Sequence, residues 1–126
     1  MNRTFATTTP PFVSVVIPTY GRPRQIVACL ESFTALDYPV GRWELIVVDD
    51  GSPEPLDGAV APFQNRLPLT LLRQANQGPA VARNTAVGYF GEKFRRRKKS
   101  GSPISATLIL LSVQRHGEDL HLQVVR

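Results

Sequence analysis

The stretch Trp43-Glu44-Leu45-Ile46-Val47-Val48-Asp49-Asp50-Gly51-Ser52 constrains the fold more than any other part of the chain. Four consecutive aliphatic residues, 45–48, leave no polar face for solvent, so a strand here must be covered on both sides, as in a parallel sheet. Two carboxylates then stand at its C-terminal end, followed by Gly51-Ser52, which turn the chain. In open α/β sheets ligands sit in the crevice outside the carboxyl ends of the strands, so this acidic pair is placed to accept hydrogen bonds from one. The structural alternative is that one or other aspartate only caps a turn, a common use of Asp.

The chain before and after this strand repeats one pattern. Residues 12–17 form a β-branched strand that the sequence expects to stop at Pro18. Pro23 suits a first helical turn, and Ile26, Val27, Leu30 and Phe33 follow at helical spacing. After the 43–52 strand, Ser52-Pro53 reads as an N-cap with proline at the first helical position. Leu56, Ala59, Val60 and Phe63 give a second apolar stripe, which Pro62 weakens near its end. Residues 69–72 make a third strand. Pro79 opens a third helix through about Tyr89, with Ala80, Ala82 and Ala86 small enough to lie close on a sheet. Strand–helix three times over with short connections predicts an α/β fold, three-layer, with a mainly parallel sheet and helices on both faces.

Parallel strands bring three loops to one sheet edge: Pro18-Thr19-Tyr20, Asp49-Asp50-Gly51-Ser52 and Asn76-Gln77-Gly78-Pro79. A planar base held there needs a wall and an acceptor for a ring N–H, roles that suit Tyr20 and Asp50. Arg83, one turn into the third helix, can reach a diphosphate or pair with an aspartate. No Gly-x-Gly-x-x-Gly, Walker A loop or Gly-x-Ser-x-Gly elbow occurs. His116 and His121 lack partners at metal-ligand spacing, so no metal site is expected from them.

Charge divides the chain in two. Residues 1–90 hold seven arginines against seven acids, whereas residues 91–126 hold eight basic residues against three acids and carry the whole net charge of +5. The basic run 95–99 and the Ser-Gly-Ser-Pro that follows read as a solvated tail. Residues 106–113 and 120–125 read as strands that can add a hairpin at the sheet edge. The expected organisation is therefore a flexible N-terminus (1–11), a compact portion (12–90) and a basic tail (91–126). Cys29 is the one cysteine and falls on an apolar helix face, which excludes a disulfide framework. No apolar run reaches transmembrane or signal-peptide length, and the expected location is cytoplasmic.

Taken together, residues 13–20, 43–52 and 76–84 resemble, in order and spacing, the start of family 2 glycosyltransferases. The resemblance covers about residues 12–90 and implies a GT-A fold whose first half binds a nucleotide-diphosphate-sugar donor. By position it implies nucleotide binding by Pro18, Thr19, Tyr20, Asp49, Asp50 and Arg83, with Tyr20 in the base-cradling loop and Asp50 as acceptor for base or ribose. It also implies a divalent metal, Mg or Mn, held in the family by an Asp-x-Asp pair after the third helix.

The chain departs from the family at that point. Gly91-Glu92-Lys93-Phe94 runs into five basic residues, no Asp-x-Asp occurs, and Glu118-Asp119 is the nearest surrogate. The expectation is a donor-binding portion, inactive alone, with no catalytic or metal residue assigned. Residues beyond about 90 are then a frameshift or truncation product, or else the natural basic tail of a divergent small protein. The alternative function is a non-enzymatic nucleic-acid-binding module using residues 95–99. The lack of interleaved aromatics argues against nucleic acid as a partner. The base, sugar and acceptor are not specified by the sequence.

Overall fold

The computed structural model describes residues 11–99, 106–113 and 120–125, with side chains described for 11–92 and for 108 and 109. Expectations placed on residues 1–10, on the Ser-Gly-Ser-Pro stretch 100–103 and on Glu118-Asp119 lie outside the described residues. Five strands, β1 (Phe12–Thr19), β2 (Trp43–Asp49), β3 (Leu69–Arg73), β4 (Ala106–Val113) and β5 (Leu120–Val125), form one sheet in the order β3-β2-β1-β4-β5. The first four are parallel, and β5 returns antiparallel to β4. Helices α1 (Pro23–Phe33), α2 (Asp57–Val60) and α3 (Pro79–Lys99) supply the crossovers.

Strand alternation decides which residues meet which helix. Val15, Ile17, Leu45 and Val47 point to one face, where they pack with Ile26, Cys29 and Leu30 of α1 and with Leu56, Val60 and Phe63. Val16, Ile46 and Val48 point to the other, against Ala82 and Ala86 of α3 and Leu108 of β4. Both faces of residues 45–48 are buried, as an all-aliphatic run requires. The expected three-layer α/β arrangement is present. Burial pushes the Cys29 thiol up to about 11, so it stays protonated and acts as a small core residue.

Three local expectations differ from the structure, and the weakening expected at Pro62 is present. β1 continues through Pro18 to Thr19. The Val13 N–H donates to Arg42 O and Thr19 O accepts from the Asp50 N–H, so odd residues of β1 turn their backbone toward β2. The N–H that Pro18 lacks would face β4, beyond Val16, the last β1 residue in that register. Ser52 does not cap α2, which begins five residues later because residues 52–56 are drawn into contacts with Asp49. Pro62 limits α2 to one turn, continued as a 3-10 turn at Ala61–Phe63. Finally, α3 runs to Lys99, so the basic run is helical. Residues 92–99 contain no glycine, proline or β-branched residue, and strong helix formers carry the helix on.

Ala82 and Ala86 are fully buried one turn apart, whereas Ala80, some 200° around the helix from Ala82, is exposed. Ala86→Leu is therefore expected to cost about 1–3 kcal/mol by overpacking the α3–sheet contact. Val87→Leu, at a 41% exposed neighbour, is expected to be close to neutral. Urea unfolding of the two variants measures the difference.

Candidate nucleotide site

A cleft of about 440 Å³ opens at the carboxyl edge of the sheet, lined by Pro18, Thr19 and Tyr20 after β1, Asp50 after β2, and Asn76, Gly78, Pro79, Ala82 and Arg83 at the start of α3. Arg22 completes the lining. Of the six residues singled out in the sequence, Pro18, Thr19, Tyr20, Asp50 and Arg83 meet here. Asp49 does not.

The two aspartates part because neighbouring side chains of a strand leave on opposite faces. Asp49, 1% exposed, turns toward the α1–α2 side. Its Oδ1 accepts from the Ser52 N–H (2.9 Å) and Ser52 Oγ (2.6 Å), and its Oδ2 accepts from Arg73 Nη1 (2.7 Å) and weakly from the Leu56 N–H (3.4 Å). Arg73 Nη2 also donates to Ser52 O (3.0 Å), and Ser52 Oγ accepts from the Gly21 N–H (2.7 Å). Asp49 thus ties together the loops after β1 and β2 and the end of β3.

Asp50 turns to the α3 side and does the same for the next loop. Its Oδ1 accepts from Gln74 Nε2 and the Gln77 N–H, both at 2.9 Å. Its Oδ2 accepts from the Gly78 N–H (3.0 Å) and, longer, from Asn76 Nδ2 (3.3 Å). Burial alone would raise this carboxyl, but the hydrogen bonds from Gln74, Gln77 and Gly78 outweigh it and hold Asp50 below the ordinary aspartate value. Thr85 Oγ1 donates in turn to Gln74 Oε1, which joins this network to α3.

Three features leave the cleft ready for a ligand. Tyr20 lines the cleft and is 48% exposed. Thr19 Oγ1 is buried with no hydrogen-bond partner among the described residues, an unusual state for a hydroxyl. Arg22 and Arg83 are half-buried, and neither guanidinium has a partner among the described residues. The sequence reading missed Arg22, whose place depends on the loop between Tyr20 and α1. Its one legible signal was a position two residues after Tyr20.

A parallel α/β sheet thus carries, at its carboxyl edge, a cleft lined by two arginines and one carboxylate among the described residues. The Glycosyl transferase family 2 model matches residues 14–94, and the chain belongs to that family. Glycosyltransferase AglE of Haloferax volcanii is 37% identical over 84 residues, covering 64% of this chain and 27% of that protein. Poly(ribitol-phosphate) beta-N-acetylglucosaminyltransferase TarS of Staphylococcus aureus is 34% identical over 76 residues, covering 59% of this chain and 13% of that protein. The mannosyltransferase PcManGT from Pyrobaculum calidifontis, solved with GDP-Man and Mn2+, superposes with a TM-score of 0.65 at 28% identity, over 83% of this chain and 28% of that one. The chain therefore spans about a quarter of the length of AglE and of PcManGT, and less of TarS.

A divalent metal fits the family, as the Mn2+ in the PcManGT complex illustrates. The described residues do not suit one: they gather no group of three His, Cys, Asp or Glu side chains, and the one carboxylate lining the cleft is already surrounded by donors. No helix among the described residues is long and apolar enough to cross a membrane. The side chains of the basic run lie outside the described set, and none of the relatives named here points to nucleic-acid binding.

Two outcomes follow. A Cβ on Gly51, which has φ +73°, would stand 2.6 Å from the backbone nitrogen of Asn76. Gly51→Ala is thus expected to destabilise by at least about 1–3 kcal/mol in urea unfolding, from strain alone. Because the native pKa of Asp50 is depressed, its contribution to stability is complete above the unfolded-state value and is lost as pH falls through the native one. Unfolding measured across the acid range should show this loss, and Asp50→Asn should remove that component.

Proposed function

We propose that the cleft binds the nucleoside diphosphate of a sugar donor, and that this chain contributes the donor-binding part of a glycosyltransferase. The observation that carries the reading is the convergence of Tyr20, Asp50, Arg83 and the partnerless Thr19 hydroxyl on one cleft. The base lies against Tyr20. Its ring N–H turns to Asp50 and displaces the longest of the four protein donors, Asn76 Nδ2 at 3.3 Å. Thr19 Oγ1 hydrogen-bonds a polar edge of base or ribose, and Arg83 meets the diphosphate. Asp49 acts behind this site, through the loops it ties.

In the transfer itself, the bond from the sugar's anomeric carbon to the diphosphate oxygen breaks, and its electron pair leaves with the nucleoside diphosphate. An acceptor hydroxyl oxygen bonds to that carbon and gives its proton to a carboxylate base. Cationic groups in the cleft stabilise the charge that develops on the departing diphosphate. None of the described cleft residues is free to be the base, since Asp50 is committed to loop 74–78. The functional unit is residues 12–90, acting in the cytoplasm, and the chain does not transfer sugar by itself.

Calorimetric titration with UDP and GDP tests the reading. One of them should bind, and Tyr20→Ala should weaken it by about ten-fold or more, the loss of one stacked base, while leaving unfolding unchanged because Tyr20 is half exposed. Binding of neither nucleotide, or turnover of a nucleotide-sugar by the purified chain, contradicts it.

A further inference from the structure

The geometry points to Arg22 as a second diphosphate-binding residue beside Arg83, so that the cleft holds a sugar-linked diphosphate through paired guanidinium groups without a divalent metal. This rests on the nucleotide-binding reading above and specifies how that site meets the ligand's charge.

A diphosphate ester linked at both ends carries two negative charges, and a protein can meet them with a cation-holding carboxylate set or with its own cations. The described cleft offers the second. Its only carboxylate, Asp50, accepts from Gln74, Asn76, Gln77 and Gly78, which occupies the lone-pair positions a cation would need. Those donors also hold loop 74–78 in place, so recruiting Asp50 to a metal would release the start of α3.

Arg22 and Arg83, by contrast, both line the cleft, one from the N-cap of α1 and the other from the second turn of α3. Two half-buried guanidinium groups in one cleft repel each other, and neither has an acid partner among the described residues. Other described arginines are placed differently: Arg73 is paired with Asp49, Arg66 lies near Glu31, and Arg24, in the first turn of α1, is exposed. Asp50 is the one counter-charge in the described lining and is held by four donors, so two arginines against it leave the cleft with an excess of positive charge that an anion would balance. Their planar forks suit phosphate oxygens, and their charges match a diphosphate diester one for one. Arg22 follows Tyr20 by two residues, so the loop that supplies the base wall also supplies this cation.

The test is titration of the full 126-residue chain with UDP, GDP, their nucleosides and inorganic pyrophosphate, each in EDTA and again with Mn2+. Affinity for the preferred nucleoside diphosphate should be the same in both media. Arg22→Gln should weaken it about ten-fold and Arg22→Lys by less, as loss of a charged fork and of its planarity respectively. The parent nucleoside should bind both variants as it binds the natural chain, which separates a phosphate contact from a folding defect. Nucleoside diphosphate binding that requires Mn2+, or that is indifferent to Arg22→Gln, overturns this inference and leaves the nucleotide reading standing. No binding of nucleoside or nucleotide in either medium overturns both.

Discussion

The site depends on the last residue of one buried strand and the residue that follows it leaving in opposite directions. Asp49 and Asp50 are neighbours in sequence, yet the pleat sends the first toward α1 and α2 and the second toward α3. Each carboxylate then gathers backbone and side-chain donors from a loop that has no regular structure of its own. Asp49 fixes residues 52–56 and the end of β3, and Asp50 fixes residues 74–78. Besides these two anchors, the buried apolar contact of the loops over the sheet edge comes from Leu56, which joins the cluster on the α1 face.

This arrangement preorganises the cleft and limits what Asp50 can do. A carboxylate that holds a loop is a poor proton acceptor and a poor metal ligand, because its lone pairs are in use and its ionised form is already favoured. It can still exchange one long hydrogen bond for a ligand's. Under the proposed reading, charge on an incoming diphosphate falls to Arg22 and Arg83, which have no partner among the described residues, while Arg73 is engaged by Asp49 behind the cleft.

Much of the architecture was legible in the sequence because each element carries a strong local signal. An all-aliphatic strand needs two covering layers, Pro23 and Pro79 open helices, and parallel crossovers bring the three loops to one edge. Four features stand apart from these local signals. Asp49 and Asp50 read alike as nucleotide-binding carboxylates, and only alternation counted through Val47 and Val48 separates their faces. Arg22 was missed because a loop's backbone path, here through Gly21 at φ +58°, is not encoded in any periodicity. The length of α3 was underestimated because a run of positive charge suggested a solvated tail, whereas Arg and Lys are good helix formers. Residues 106–113 were seen as apolar, but their pairing beside β1 rather than at an outer edge is a long-range outcome that local pattern does not carry.

Backbone NMR of the 126-residue chain during titration with UDP or GDP tests the central claim most directly. The account predicts that the largest shifts fall at Thr19, Tyr20, Arg22, Asp50, residues 76–78 and Arg83, while Asp49, Ser52 and Arg73, one strand face away, stay nearly still. Shifts centred instead on residues 53–56 or on the basic end of α3, with the cleft unmoved, would contradict it.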